Sequence, residues 1–315
     1  MKIKPALLLL ALVANTAGVH AAPLNLAGQW QLQLDPKDEG VAGRVWKKTL
    51  NDTIALPGTT ALASKGEPLN IPLNLERPAL QSLHQKFRYV GAAWYQRTVN
   101  IPADWNGQDV ILTLERVIWE SRVWVNGVEA GAPQISLTTP HRYDLTALLK
   151  RGAENTLTIR IDNREKIPIG ILGHSYTDET QTIWNGIVGR IELEAHDKVR
   201  IENLRLRPNL ARGGVDVTIA THNSTDKPVA SPLLMLQVVP KNFGGNALKP
   251  LQQSATIEPG DATIQLFFSM GENFERWSEF NPKFYSLRAT IGGKDFHSEV
   301  ADIFGMREFK ADGTR

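Results

Sequence analysis

The stretch NTLTIRIDN, residues 155–163, decides how the rest of this chain is read. Leu157, Ile159 and Ile161 alternate with Thr156, Thr158 and Arg160, the two-residue period of a strand with one buried face. Upstream, SRVWVNGVEAG (121–131) surrounds Asn126-Gly127. Both residues tolerate the positive φ of a two-residue turn, so VWVNGVEA predicts a hairpin. Working outward, DVILTLERV (109–117), GRIELEA (189–195), VDVTIATHN (215–223), ATIQLFFSM (262–270) and FYSLRATIGG (284–293) all alternate or form short apolar runs. Only YDLTALLKRG (143–152) predicts a helix, with Asp144 to cap its first turn and Gly152 to end it.

Short strands with regularly spaced turn signals imply an all-β chain built from sandwiches. A boundary falls near His196-Asp197-Lys198, where one strand series closes and VRIENLRLRP opens another. Residues 22–197 have the size and strand count of a jelly roll. Residues 198–303 fit an immunoglobulin-like sandwich without its disulfide, because the chain has no cysteine. Thiolate chemistry and cysteine zinc sites are excluded for the same reason.

Residues 1–21 read as a signal peptide: Lys2 and Lys4, an apolar run from Pro5 to Val13, then Val19-His20-Ala21 before the expected cleavage. The run is too short for a membrane span. The expected location is therefore periplasmic or extracellular. Cleavage would remove two lysines and no acid, leaving 33 basic against 33 acidic groups. That balance argues against nucleic acid as a partner.

No Walker A, GxGxxG, HExxH or GxSxG motif is present. The histidines are scattered, and the acids show no spacing that demands a metal, so neither metal nor cofactor is expected. One segment concentrates binding chemistry: HSYTDETQTIWNGIVGRIEL, 174–193. It gathers His174, Tyr176, Asp178, Glu179, Gln181, Trp184 and Asn185 in a long loop between strands. An indole face can stack on a pyranose while amides and carboxylates bind its hydroxyls. Trp184 can equally be a core anchor and Asn185-Gly186 a turn. Trp30, Trp94 and Trp124 sit in strand patterns and are expected in the core; Trp119, at a strand start, is left open.

WYQRTVNIP, VWVNG, YDLTALLKRGAENTLTIRIDN and WNGIVGRIEL occur in that order. This series resembles the N-terminal sugar-binding domain of glycoside hydrolase family 2, which includes β-galactosidases and β-glucuronidases. Residues 198–303 resemble the family's immunoglobulin-like second domain, with WSEFNPKFYSLRATI (277–291) as its last strand region. FGMREFKADGT, within 304–315, resembles the segment entering the family's catalytic (β/α)₈ barrel: a strand starting at Phe304, then an Asp-Gly turn.

The resemblance implies that the barrel, with its acid/base and nucleophile glutamates, would follow and is absent here. No catalytic residue is therefore assigned. The barrel of the parent enzyme is the expected partner, and the terminal β-linked sugar of an oligosaccharide or glycoside the expected ligand. By resemblance, the strand end Asp162-Asn163 and the loop carrying His174, Asp178, Gln181, Trp184 and Asn185 would face that sugar. Asp162 and Asn163 can also be turn residues closing a strand. The function implied is the non-catalytic front part of an exported, β-galactosidase-like family 2 hydrolase. The alternative is a stand-alone carbohydrate-binding module.

Overall fold

The computed structural model describes residues 22–70, 75–76, 85–170, 173, 176, 183–309 and 313. Residues 1–21, expected to be a signal peptide, Asp312 of the expected Asp-Gly turn, His174, Asp178 and Gln181 lie outside the described residues. Two compact units divide between His196 and Asp197.

In chain order the first unit carries β1 (Leu24–Asn25), β2 (Gly28–Asp35), β3 (Asp52–Leu56), β4 (Gly58–Thr59) and β5 (Glu67–Pro68). Next come β6 (Phe87–Arg88), β7 (Ala92–Asn100), β8 (Asp109–Leu114), β9 (Glu120–Val125) and β10 (Val128–Glu129). β11 (Gln134–Ile135), β12 (His141–Asp144), β13 (Glu154–Asp162), β14 (Gly186–Ile187) and β15 (Ile191–His196) complete it.

One sheet runs β1-β15-β8-β12 and the other β10-β9-β13-β7-β2-β3, with β11 also on β9. Val110, Leu112, Leu114 and Leu193 of the first meet Leu32, Tyr95, Val123, Leu157, Ile159 and Ile161 of the second in one core. The side-chain alternation of each strand fills that core from both sheets, the jelly-roll solution. The predicted hairpin is present: Val128 pairs with Val125, and Asn126 (φ 51°) and Gly127 (φ 83°) hold the turn.

The second unit has β16 (Val199–Asn209), β17 (Gly214–Asn223), β18 (Val229–Pro240), β19 (Leu251–Ile257), β20 (Gly260–Ser269), β21 (Tyr285–Gly292) and β22 (His297–Phe304). They form the sheets β16-β17-β20 and β19-β18-β21-β22 around a separate apolar core. This is an immunoglobulin-like sandwich. Among the described residues there is no α-helix, and so no (β/α)₈ barrel.

Three local expectations are corrected. YDLTALLKRG is not a helix. His141 and Tyr143 face inward from β12, and the chain then makes only one tight turn, with Leu148 and Leu149 N–H on the Leu145 carbonyl at 3.0 and 3.2 Å. Asp144 caps that turn through Thr146 N–H at 2.8 Å. Phe304 ends a strand rather than starting one: β22 pairs along β21, so residues 277–291 are not the last strand region. Beyond it, Met306 makes an isolated bridge to Arg276 and is fully buried, which accounts for the apolar alternation there.

The third correction concerns β13. It is not half-buried, since Thr158, Arg160 and Asp162 are as inaccessible as Leu157, Ile159 and Ile161. The second face is covered in part by the segment between β2 and β3. Val45 and Leu50 from that segment pack with Trp94 and Trp124, and Trp46 stacks on Trp124 at 4.9 Å and 7°. Asp35 ties the segment down by accepting from Glu39 N–H (2.9 Å), Gly40 N–H (2.8 Å) and the Trp94 indole (3.0 Å).

Candidate functional site

A cleft of about 740 Å³ opens in the first unit. One wall runs from Thr59, the last residue of β4, to Ser64, and another is Gln85 to Phe87 at β6. Arg116 and Ile118, from the β8–β9 connection, form a third, and Tyr176, Trp184 and Val188 close it. These segments are far apart in sequence. They meet because β14 pairs with β4, placing Gly186 opposite Thr59 and Ile187 opposite Gly58. Gly186 is required there: its φ is 146°, and a Cβ would stand 2.2 Å from the Gly58 carbonyl oxygen. Asn185-Gly186 is thus the entry to a strand, not a turn.

The β8–β9 connection is fixed by main-chain bonds. Val188 N–H donates to the Arg116 carbonyl at 3.2 Å, Gly189 to that of Glu115 at 3.1 Å, and Glu115 to that of Arg190 at 2.9 Å. Arg116 sits in the left-handed region at φ 56°. Trp119 is buried, packs on Tyr176 at 5.8 Å, and donates its backbone N–H to the Asp162 carbonyl at 3.0 Å. Tyr176 in turn donates its hydroxyl to the Leu137 carbonyl at 3.0 Å.

The residues expected at the sugar part ways. Trp184 lines the cleft and is partly exposed. Asn185 next to it is fully buried: its Oδ1 accepts from the Tyr95 hydroxyl at 2.6 Å, and its Nδ2 donates to the carbonyls of Gly91 (2.9 Å) and Ile161 (3.3 Å). Asn163 is equally buried. It accepts from Gly91 N–H at 2.8 Å and donates to the carbonyls of Tyr89 (2.9 Å) and Trp184 (3.0 Å). Both amides spend their hydrogen bonds inside the protein, Asn163 on main chain and Asn185 on main chain and the Tyr95 hydroxyl, and together they set the position of Trp184.

Asp162 is fully buried in a cluster of three acids and three bases. It accepts from Arg164 Nη2 (2.6 Å), Lys166 Nζ (2.9 Å) and Arg160 Nη2 (3.2 Å). Arg160 also reaches Asp38 (2.6 Å) and Glu120 (2.8 Å). Burial alone would raise the Asp162 carboxyl, but the hydrogen bonds from Arg164 and Lys166 outweigh it and hold it well below the usual carboxylate range. An ionised group so fully paired fixes the end of β13; it does not present a free oxygen to the cleft.

The cleft's charged lining is therefore Lys86 and Arg116, with no carboxylate among the described lining residues. Neither cation was singled out from the sequence. Each lies in a connection with no motif around it, and only the pairing of distant segments brings them to Trp184.

The profile of the glycosyl hydrolases family 2 sugar binding domain matches residues 24–193. The chain belongs to glycosyl hydrolase family 2. A β-glucuronidase of Paenibacillus borealis is 25% identical over 306 residues, covering 92% of this chain but 46% of that protein. A β-galactosidase of Thermoanaerobacter pseudethanolicus is 24% identical over 163 residues, 50% of this chain and 20% of that protein. Among solved structures, a putative β-galactosidase from Bacteroides fragilis superposes with a TM-score of 0.68 at 19% identity, over 92% of this chain and 41% of its own. The chain thus spans less than half the length of each of these proteins, and the two matches that cover 92% of it extend over both sandwich units.

Proposed function

We propose that the chain is the sugar-binding front portion of an exported family 2 glycosidase, related to the β-glucuronidases and β-galactosidases. In this reading the cleft beside Trp184 helps shape the sugar subsite, and the bond-breaking carboxylates belong to a catalytic domain that these two sandwich units support. The observation that carries it is Trp184 itself: a partly exposed indole on the cleft wall, held by the buried amides of Asn163 and Asn185. Such an arrangement suits stacking on the apolar face of a sugar. The retaining chemistry of glycosidases needs two carboxyl groups about 5–5.5 Å apart across the scissile bond, and the cleft's described lining offers none.

The test has two arms. The purified chain is assayed on aryl β-glucuronides and β-galactosides, with no turnover expected; turnover that survives repurification would sink the proposal. The chain joined to the catalytic domain of its parent gene is then compared with its Trp184→Ala form, which is expected to raise KM. Export through residues 1–21 predicts a secreted protein whose N-terminal residue is Ala22, read by intact mass.

A stand-alone carbohydrate-binding module is the second reading, favoured because one unit builds the whole cleft. It requires sugar binding by the chain alone, at roughly millimolar to micromolar affinity. That binding should vanish in Trp184→Ala while the fold persists.

A further inference from the structure

A second concavity lies on the outer face of the six-strand path, away from Trp184. It is an open trough of about 650 Å³, within the range of about 300–1,000 Å³ over which ligand pockets fall. Its floor is Gln96 of β7 and Thr156 of β13. One bank is Trp46 to Thr49, from the segment covering the sheet, and the other is the Asn126-Gly127 turn with Val128.

The two banks differ in how far the protein already uses them. Asn126 is consumed by its own turn: its Nδ2 donates to Asn155 Oδ1 at 2.8 Å and to the Leu148 carbonyl at 3.3 Å, and its Oδ1 accepts from Thr156 N–H at 3.0 Å. The other groups are unspent. Gln96 is only 7% exposed, and its Nε2 donates to Thr158 Oγ1 at 3.1 Å. Its side-chain oxygen has no partner among the described residues. The same is true of the Trp46 indole N–H and of the Lys47 and Lys48 ammonium groups, and among the described residues no carboxylate lines the trough. Gln96 Oε1 still faces the open space of the trough, where it can accept from a ligand hydroxyl.

Trp46 supplies a rigid apolar surface. It is stacked on Trp124 at 4.9 Å and lies 6.1 Å from Trp94, two fully buried indoles, while remaining partly exposed itself. A platform immobilised before binding loses little entropy when a ligand arrives. An indole, an open amide oxygen, free hydroxyls of Thr49 and Thr156, and two unpaired cations together match a sugar that carries negative charge. The trough is too polar and too open for an apolar small molecule.

We infer that this trough is a second saccharide site, separate from the Trp184 cleft, that binds an acidic oligosaccharide with carboxylates at Lys47 and Lys48 and a pyranose against Trp46. The inference does not depend on the role given to the cleft.

Calorimetric titration of the chain with tetragalacturonate, cellotetraose and a thymidine tetranucleotide tests it. Tetragalacturonate is expected to bind, more tightly than either other probe, and to weaken as salt rises. The double variant Lys47→Gln/Lys48→Gln changes two exposed side chains and should keep the fold, verified by circular dichroism. It is expected to lose about five- to tenfold in tetragalacturonate affinity. Lys241→Gln, an exposed lysine of the second unit, should change nothing. Trp46→Phe, which keeps a ring in the stack, should weaken the same titration. Absence of tetragalacturonate binding, equal loss in Lys241→Gln, no loss in the double variant, or equal or tighter binding of cellotetraose or the tetranucleotide would each overturn the inference.

Discussion

Replacing Asn185 by Ala tests whether this residue is architecture rather than ligand contact. The substitution removes one acceptor and two donors from a site with no solvent access. It strands the Tyr95 hydroxyl, itself fully buried, which donates to Asn185 Oδ1 at 2.6 Å. It also strands the Gly91 carbonyl, 2.9 Å from Nδ2. The third bond, to the Ile161 carbonyl, is long at 3.3 Å and adds little. A buried polar group left without a partner costs about 1–3 kcal/mol, so two strong losses total about 2–6 kcal/mol. A water entering the vacated space would bring the figure to the low end. In a unit of this size each kcal/mol moves the midpoint by about 2–4 °C, so the first unit should melt roughly 4–24 °C lower. The assay is scanning calorimetry of the whole chain, with the second unit's transition as an internal reference. Trp184→Ala, one residue away but facing the cleft, should move the midpoint far less. A midpoint for Asn185→Ala within about 2 °C of the unmodified chain would refute the reasoning, because the orphaned groups would then have found other partners.

Other tests follow from the same physics. His141 is buried between Ser121 Oγ (2.6 Å from Nδ1) and Ser136 Oγ (2.9 Å from Nε2), and burial pushes its pKa down to about 4. Its folded value is depressed, so stability is intact above about pH 6.5 and falls as pH drops to 4, by on the order of 3 kcal/mol; NMR of the ring should show no protonation near pH 6. The Asp162 carboxyl is also depressed, so its contribution is intact above about pH 4 and is lost at lower pH. Asp162→Asn should lower the melting point at pH 7 and flatten its fall below pH 4. Gly186→Ala would force a Cβ to 2.2 Å from the Gly58 oxygen at φ 146° and should cost about 3 kcal/mol or more, read by denaturant unfolding.

The strands were legible because each core-facing side chain recurs at the period of the pleat. Leu157, Ile159 and Ile161, or Val110, Leu112 and Leu114, identify their face without knowledge of any partner. The Asn126-Gly127 turn was legible because few residue pairs accept two positive φ angles. The burial of the second face of β13 was not. It depends on the segment between β2 and β3, whose Val45, Trp46 and Leu50 follow no strand or helix period. A covering loop is held by packing and by a few side-chain bonds such as those of Asp35, and neither leaves a local repeat. YDLTALLKRG failed for the opposite reason: a good helical pattern was overridden by pairing of His141 to Asp144 with β8.

The candidate site divides along the same line, and adjacent residues show why. Composition pointed to Trp184 and Asn185 alike, since an indole and an amide both suit a sugar. In extended backbone, consecutive side chains point to opposite sides. Ile183, Asn185 and Ile187 are buried, whereas Trp184 and Val188 are not. The isoleucines at 183 and 187 frame Asn185 at the two-residue period, a signal that the Asn-Gly pair masked because it also reads as a turn. An amide placed between two core isoleucines must find its partners inside, and it finds them in Tyr95 and the main chain of Gly91 and Ile161. The chemistry of a residue type names what it can bind; the direction its strand imposes decides whether it meets a ligand or the protein's own backbone.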